Sequence, residues 1–426
     1  MKKKVLIISY FFEPCKLVGA ERTTYWAHNL SKKGFYPIIL TRQWNQDQIE
    51  LTDLVFRNKY EHIKNDKFEV YKLPYRRTLR DILAKHKKLM LLQKTLTFLE
   101  SFFSNFFISS LPFSNFKKTA AIILKTHPEI SHVINSVAPF QALFISYKLK
   151  QQFYDKTFIA DYRDEWTTRS TNSPKNSLEK ILFYLNNLSE KKWTSNLDYF
   201  ITVSDTWKKS ISNQINKKGF VIKNGYDFKD FEAISKNSKG EKLKIIYPGT
   251  LFSYQKIEIF INTIIKIHDN FPDSVQVDFY GVEVNKIELK RLKSLTNEHK
   301  NIFKIHNKIH KIELAKELNN SDVGLLTNYE NLKGCLPVKI FDYYYFGLTI
   351  LLCPSDNDEM QNFLDNTNSG FSVNNEEECF FKLKELVRLK KQGKLKRKTT
   401  DETLFFHYSR ENQSSILVNI LKTEKV

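Results

Sequence analysis

Four short stretches of the chain gather residues able to handle a charged, phosphorylated ligand. Asp161-Tyr162-Arg163-Asp164-Glu165-Trp166 sets three carboxylates, an arginine and an indole directly after an apolar run. Charges gathered at a strand's carboxyl end mark a site more often than a solvated loop. Tyr247-Pro248-Gly249-Thr250-Leu251-Phe252 also follows an apolar run and leads through Lys256 into a helical pattern. Backbone N–H groups and an ammonium can both meet a phosphate there. Gly334-Cys335-Leu336-Pro337-Val338-Lys339-Ile340-Phe341-Asp342 places Pro337 near a first helical turn and puts Lys339 and Asp342 on one face. Such a helix could hold a diphosphate at its start and a ribose hydroxyl on Asp342; a surface ion pair fits the same spacing equally well. The first strand-to-helix turn, Phe11 to Arg22, carries Gly19, whose missing side chain permits close backbone approach at an anion-attracting helix start. It is not a dinucleotide fingerprint, and Glu21 is not placed to read a ribose.

Metal chemistry has no comparable signal. The 4 cysteines form no CxxC pair and the 10 histidines no zinc spacing. Asp356-Asn357-Asp358 has the look of a metal-binding triplet but falls in an expected loop after a strand, where a solvated turn is the simpler reading. No metal and no cofactor are expected beyond a nucleotide sugar acting as substrate, and a reducing compartment fits the free thiols.

The elements that must position these residues follow from hydrophobic period. Lys4 to Tyr10, Tyr36 to Thr41, His132 to Asn135, Thr157 to Asp161 and Tyr199 to Val203 read as buried strands. Helical stretches separate them, among them Ala20 to Ser31, Pro139 to Phe153 and Leu178 to Lys192. After a polar stretch around Ala233 to Lys242 the pattern restarts, with strands at Lys244 to Tyr247, Val275 to Tyr280, Asp322 to Thr327 and Thr349 to Cys353. Glu258 to His268 and Lys311 to Leu318 are helices between them, and Ser409 caps a last helix to Lys425. A chain of 426 residues exceeds what one core usually holds. Two consecutive α/β halves predict two doubly wound domains, 1–225 and 226–408, with a terminal helix over 409–426 and an active site in the cleft between the halves.

Charge narrows the partners without choosing one. A formal +20 attracts nucleic acid, anionic lipid or phosphorylated substrates, although biased composition also yields lysines with no specific partner. No basic-aromatic single-strand module and no helix-turn-helix accompanies the charge, which argues against nucleic acid. The segment 76–113 is distinctive: Arg76 to Lys94 holds 7 Lys and Arg against 1 Asp. Leu89, Leu92, Leu96, Leu99, Phe103 and Phe106 share one helical face, nearly opposite Arg80, Lys87 and Lys94. That pattern fits a helix lying in an anionic membrane interface, or one packing its apolar face on its own domain. No apolar run is long enough to span a bilayer and Met1 to Tyr10 reads as a first strand, so a cytoplasmic protein, peripheral at the inner face of the membrane, is expected.

Taken in order, the motifs resemble retaining glycosyltransferases of family 4, above all bacterial surface-polysaccharide assembly members such as those of lipopolysaccharide and capsule. The likeness rests on Gly19-Ala20-Glu21-Arg22, Asp161-Tyr162-Arg163-Asp164, Val203-Ser204, Lys223-Asn224-Gly225-Tyr226-Asp227, Pro248-Gly249-Thr250, Ser321-Asp322-Val323-Gly324-Leu325-Leu326 and Leu336 to Tyr343. It implies a GT-B fold of two Rossmann-like domains and a C-terminal helix crossing back to the first. It also implies a nucleotide diphosphate sugar, with uridine as the base, held by the second domain, and a lipid-linked or glycan acceptor held by the first. Arg163, Asp164, Lys256 and Lys339 are the expected catalytic residues; Gly19, Gly249, Thr250, Pro337 and Asp342 are the expected binding residues. Two departures stand out. Gly334 and Asp342 occupy positions where the family often has two glutamates, and Thr250 and Gln255 stand where an arginine and a lysine are usual. An inactive scaffold of the same fold is therefore the alternative, with a basic nucleic-acid-binding protein behind it.

Overall fold

The computed structural model describes residues 2–15, 17–44, 60–75, 78–83, 89–169, 174, 176–227, 240–398 and 402–423. Arg76, Lys87 and most of the polar stretch after Ala233 lie outside them. The chain divides into two compact units, Met1–Lys223 with Ser414–Val426, and Asn224–Gln413.

The first unit is built on eight strands: β1 (Lys3–Ser9), β2 (Phe35–Arg42), β3 (Glu61–Lys64), β4 (Glu69–Leu73), β5 (His132–Ser136), β6 (Thr157–Asp161), β7 (Tyr199–Thr202) and β8 (Lys218–Val221). Their order is β3-β4-β2-β1-β5-β6-β7-β8, with every neighbouring pair parallel except β3 and β4. β5 and β6 are buried along their whole length, polar residues included, as central strands covered on both faces are. Strand order reverses between β1 and β5, and the carboxyl ends at such a switch point are where ligands of open α/β sheets bind.

Six parallel strands make the second sheet: β9 (Leu243–Pro248), β10 (Val275–Tyr280), β11 (Phe303–His306), β12 (Val323–Leu326), β13 (Thr349–Leu352) and β14 (Gly370–Ser372). The order β11-β10-β9-β12-β13-β14 puts its switch point between β9 and β12. One face packs on Phe260, Ile264 and Leu383, the other on Ile340, Phe341 and Phe363, so the sheet is covered on both sides.

The last helix, Arg410–Thr423, ends in the first unit, where Leu417, Val418, Ile420 and Leu421 join the core of Val5, Ile7 and Ile201. Ser409 accepts from the Asn412 N–H at 3.2 Å, as a cap should. Just before it, Tyr226 and Ser409 bridge as parallel backbone, and the Arg410 N–H donates to Tyr226 O at 2.9 Å. Gly225 makes this contact possible: a Cβ there would stand 2.4 Å from Tyr408 O. Gly225→Ala should therefore cost about 2 kcal/mol or more through overpacking against backbone, read as a lower denaturant midpoint with an unchanged slope.

Candidate functional site

In the first unit the site residues hang on one buried ion pair. Arg22, on the helix Val18–Leu30 that follows β1, meets Asp161 at the end of β6 at 3.0 Å, both almost fully buried. The same guanidinium donates to Ile222 O at 2.7 Å and lies 4.7 Å over the Trp26 ring. This fixes the glycine turn against the turn that opens at Asp161. Arg163 completes the link by donating to Val18 O at 3.1 Å and to Gly19 O. Gly19 itself is occupied from within the protein: a Cβ there would stand 2.9 Å from the Phe11 ring.

Beyond Arg163 the turn is held from below. Glu190, fully buried on the helix Ser177–Thr194, accepts from the Tyr162 hydroxyl at 3.0 Å and from the backbone and side chain of Thr167. Burial pushes the Glu190 carboxyl up, against the pull of these hydrogen bonds. Trp166 stacks between Phe140 and Trp193, with centroids 5.4 and 5.7 Å away. Asp164 alone of the turn's carboxylates is exposed, so the structure brings Arg163 and Gly19 together and leaves Asp164 facing solvent.

The second unit assembles its site at the β9/β12 switch point. Gly249 follows β9 with φ +109°, and Gly281 follows β10 with φ +79°, conformations that side chains other than glycine rarely adopt. A Cβ on Gly281 would lie 3.7 Å from Gly249, so the two loops meet backbone to backbone. Lys339 comes from the other side of the switch point, at the start of the short helix Lys339–Tyr345 after β12. Its Nζ stands 3.6 Å above the Tyr247 ring and 4.0 Å from where a Gly249 Cβ would be. The helix is seated by Tyr343, whose ring fills the place of a side chain on Gly324 and whose hydroxyl donates to Leu325 O at 3.0 Å. Lys339 lies one turn before that anchor, which is why the ammonium reaches Gly249.

Electrostatically Lys339 is unusual. Among the described residues no carboxylate pairs with its ammonium. Burial brings its pKa down to about 7, with Cys335 pulling the other way. A cation in this setting gains most from an anion arriving from outside.

The remaining expected residues are placed differently. Thr250 is half-buried and its carbonyl accepts from the Tyr247 hydroxyl at 3.3 Å. Gln255 points inward, donating to Thr327 at 2.6 Å and accepting from the Phe252 N–H at 3.0 Å, so it shapes the loop from beneath. Lys256 is exposed and engaged by Glu330 at 2.7 Å. Pro337 stands in the turn before the helix, its carbonyl accepting from the Ile340 N–H at 3.1 Å, and Asp342 is half-buried on the helix itself. Gly334 has φ +77° and its N–H donates to Asp358, so the backbone there favours glycine where a carboxylate would be strained. Asp356 accepts from the N–H groups of Asp358, Met360 and Gln361, at 3.2, 2.9 and 3.0 Å. Its carboxylate is thus committed to starting the helix Glu359–Thr367, and the described residues contain no cluster of three or more metal-ligating side chains. Gly281 escaped the sequence reading, because the crossover from β10 alone brings it to Gly249; Tyr247 and Cys335 stood within the stretches singled out, with no role assigned to either.

No family model matches the chain, and no curated protein matches its sequence. Solved structures do match it. Sucrose-phosphate synthase from Thermosynechococcus elongatus superposes with TM-score 0.68 at 12% identity, over 99% of this chain and 98% of that one. An α,α-trehalose-phosphate synthase (UDP-forming) from Burkholderia vietnamiensis gives 0.64 at 10% identity, over 100% and 98%. Anabaena HepE in complex with UDP and glucose gives 0.60 at 10%, over 99% and 100%. Likeness of this extent, with two parallel doubly wound sheets, establishes the GT-B fold.

Lys339 offers a direct check through stability. Below pH 7 its ammonium is charged in both folded and unfolded chains, and the burial penalty is complete. As pH rises from about 7 toward the ordinary lysine value, the folded chain loses its proton first and the penalty is relieved. Lys339→Met should therefore be the more stable protein near pH 6, and its advantage should shrink by ~1 kcal/mol for each pH unit above about 7. Denaturant titrations of both proteins across this range measure the difference.

Proposed function

We propose that this chain is a glycosyltransferase that moves a sugar, with retention, from a uridine diphosphate sugar to a lipid-linked or glycan acceptor at a cytoplasmic membrane face during surface-polysaccharide assembly. The observation that carries the reading is the Lys339 ammonium, half-buried with no carboxylate partner among the described residues, beside the bare backbone of Gly249. Support comes from neighbours of the same fold whose descriptions name UDP, UDP-glucose or a UDP-forming reaction.

The chemistry follows from charge. When the bond between the anomeric carbon and the diphosphate breaks, negative charge grows on the leaving phosphate oxygen. Lys339 opposes that charge from a poorly hydrated position, where an electrostatic contribution is larger than in water. Gly249 and Gly281 let the phosphates approach the main chain without a side chain between. Asp342, on the face of the helix that Lys339 begins, is assigned the ribose hydroxyls. Reaction on one face of the sugar lets the departing phosphate oxygen take the acceptor's proton, so no carboxylate nucleophile is called for, unlike in paired-acid glycoside hydrolysis. The reading needs no divalent cation, because Lys339 and main-chain N–H groups supply the countercharge. Lys256, neutralised by Glu330 at 2.7 Å, is assigned a lesser part than Lys339. In the first unit the acceptor is assigned to the turn carrying Arg163 and Asp164, with Arg163 setting the position of the Gly19 loop.

Calorimetry with uridine diphosphate, set against other nucleoside diphosphates, tests the donor assignment. Lys339→Ala should lower binding or turnover by about 2 to 4 kcal/mol, the range for losing one stabiliser of developing charge. The diphosphate holds Lys339 in its charged form, so wild-type affinity should be full below pH 7 and fall by up to about tenfold per unit above it, a dependence the Ala variant lacks. On the acceptor side, Arg163→Ala and Asp164→Asn should lower transfer while leaving nucleotide affinity nearly unchanged. A parallel fall in nucleotide binding would move the turn out of the acceptor role.

A further inference from the structure

Two neighbouring helices of the first unit wear their apolar faces outward. Along the helix Met90–Ser104 and the turn that follows it, Leu92, Leu99, Phe103 and Phe106 follow one another at i, i+7, i+11 and i+14, each 41–50% exposed. Among the described side chains of this helix the fully buried one is polar, Ser104, with Leu96, Phe98 and Phe102 half-buried, and Glu100 turns aside to pair with Arg80 at 3.4 Å. A helix packed on its own domain has the opposite arrangement. The helix Ser177–Thr194 repeats the pattern independently: Leu178, Ile181, Tyr184 and Leu188 form a second stripe, 48–63% exposed, while Glu190, Trp193 and Thr194 are buried. The two helices touch, and Asn105 donates to Asn186 at 3.2 Å.

The outward face of Ser177–Thr194 is predominantly basic. The outward sector of Ser177–Thr194 carries Lys180, Lys191 and Lys192, all exposed, whereas Lys94 of the other helix lies nearly opposite its apolar stripe. Of the nearby carboxylates, Glu190 is buried against Tyr162 and Thr167 and Glu100 pairs with Arg80, which leaves the exposed Glu179, bonded to Asn176, against three exposed lysines. A second copy of the chain across a two-fold axis would set these lysines against one another. An anionic bilayer receives both features, the apolar stripes in its acyl boundary and the ammonium groups among its headgroups. Among the described residues no helix is long and apolar enough to cross it.

We propose that the outer faces of Met90–Ser104 and Ser177–Thr194 together form a docking surface for an anionic lipid bilayer, a surface that rests on and deepens the reading of a membrane-borne acceptor. The second helix gives the docking a functional sense. Its inner face holds the Asp161–Thr167 turn through Glu190, so the element that lies on lipid also carries the turn assigned to the acceptor. The sequence reading found the first stripe and read Arg80 as part of its basic face; the structure pairs Arg80 with Asp81 and Glu100 and moves the basic contribution to Lys180, Lys191 and Lys192.

Sedimentation with vesicles of phosphatidylcholine alone and of phosphatidylcholine with phosphatidylglycerol tests the surface. The full-length chain should bind the anionic vesicles at low salt, and less as salt rises. Lys191→Gln with Lys192→Gln should weaken that binding by about fivefold per lysine, an effect that vanishes at high salt. Ile181→Ser with Leu188→Ser should weaken it by about tenfold or more at any salt, and circular dichroism melts should match the wild type because both side chains are exposed. Wild-type indifference to anionic vesicles, or wild-type partition by both variants, overturns the proposal. So does a dimer in sedimentation velocity that Ile181→Ser with Leu188→Ser dissociates in a chain that ignores vesicles, because the face then belongs to a second copy. Uridine diphosphate calorimetry on the same samples separates the two readings: docking without nucleotide binding sinks the donor assignment alone, and nucleotide binding without docking sinks this surface alone.

Discussion

The buried contact between Arg22 and Asp161 is the constraint around which the first unit is organised. Two charges removed from water must find each other with good geometry, and deleting one partner of such a pair costs about 3–5 kcal/mol because the other is left uncompensated. Here the pair also takes in the Ile222 carbonyl, so the helix after β1, the end of β6 and the exit from β8 are tied at one point. The glycine turn and the acidic turn thus come from distant parts of the chain and are held against each other. Arg163 adds two further hydrogen bonds across the same junction. A planar guanidinium with several donors suits such a three-way tie better than an ammonium would.

The second unit reaches a comparable result by a steric route. Gly324 is bare so that the Tyr343 ring can press onto β12, and the Tyr343 hydroxyl satisfies a strand carbonyl beneath it. This close seat brings the start of a short helix over Tyr247, and with it a lysine that no carboxylate among the described residues pairs. The first unit pairs its buried Arg22 with a carboxylate of its own; the second holds Lys339 with no carboxylate partner among the described residues.

The central strands were legible because burial on both faces writes a continuous apolar run. β1, β2, β5, β6, β7, β9, β10, β12 and β13 all fall within a residue or two of where those runs predict them. The strands without such a signal, β3, β4, β8, β11 and β14, all lie at or next to a sheet margin. Their inside-outside patterns are mixed, as in β3 and β8, because a marginal strand keeps a wet side and needs few apolar residues. The site was legible in its loops and not in its pairings. Period and turn chemistry located Gly249 and Lys339, yet which lysine would be neutralised, Lys256 by Glu330, depends on contacts across crossovers that no local pattern encodes. Gln255 illustrates the same limit: in sequence it stands in for a missing cation, and in the fold it is an inward hydrogen-bonding brace for its loop.

The last helix carries a consequence for how the molecule comes into being. Leu417, Val418, Ile420 and Leu421 fill the core around β1, β5 and β7, while the stretch from Asn224 to Gln413 builds a separate unit in between. During synthesis the eight-stranded sheet is therefore complete in all its strands long before its core is, and it waits with an open apolar patch until the whole second unit has emerged from the ribosome. Domains of most chains close in the order in which they are made. In this one the first to be translated is the last to be finished, and the second must fold beside an unfinished neighbour.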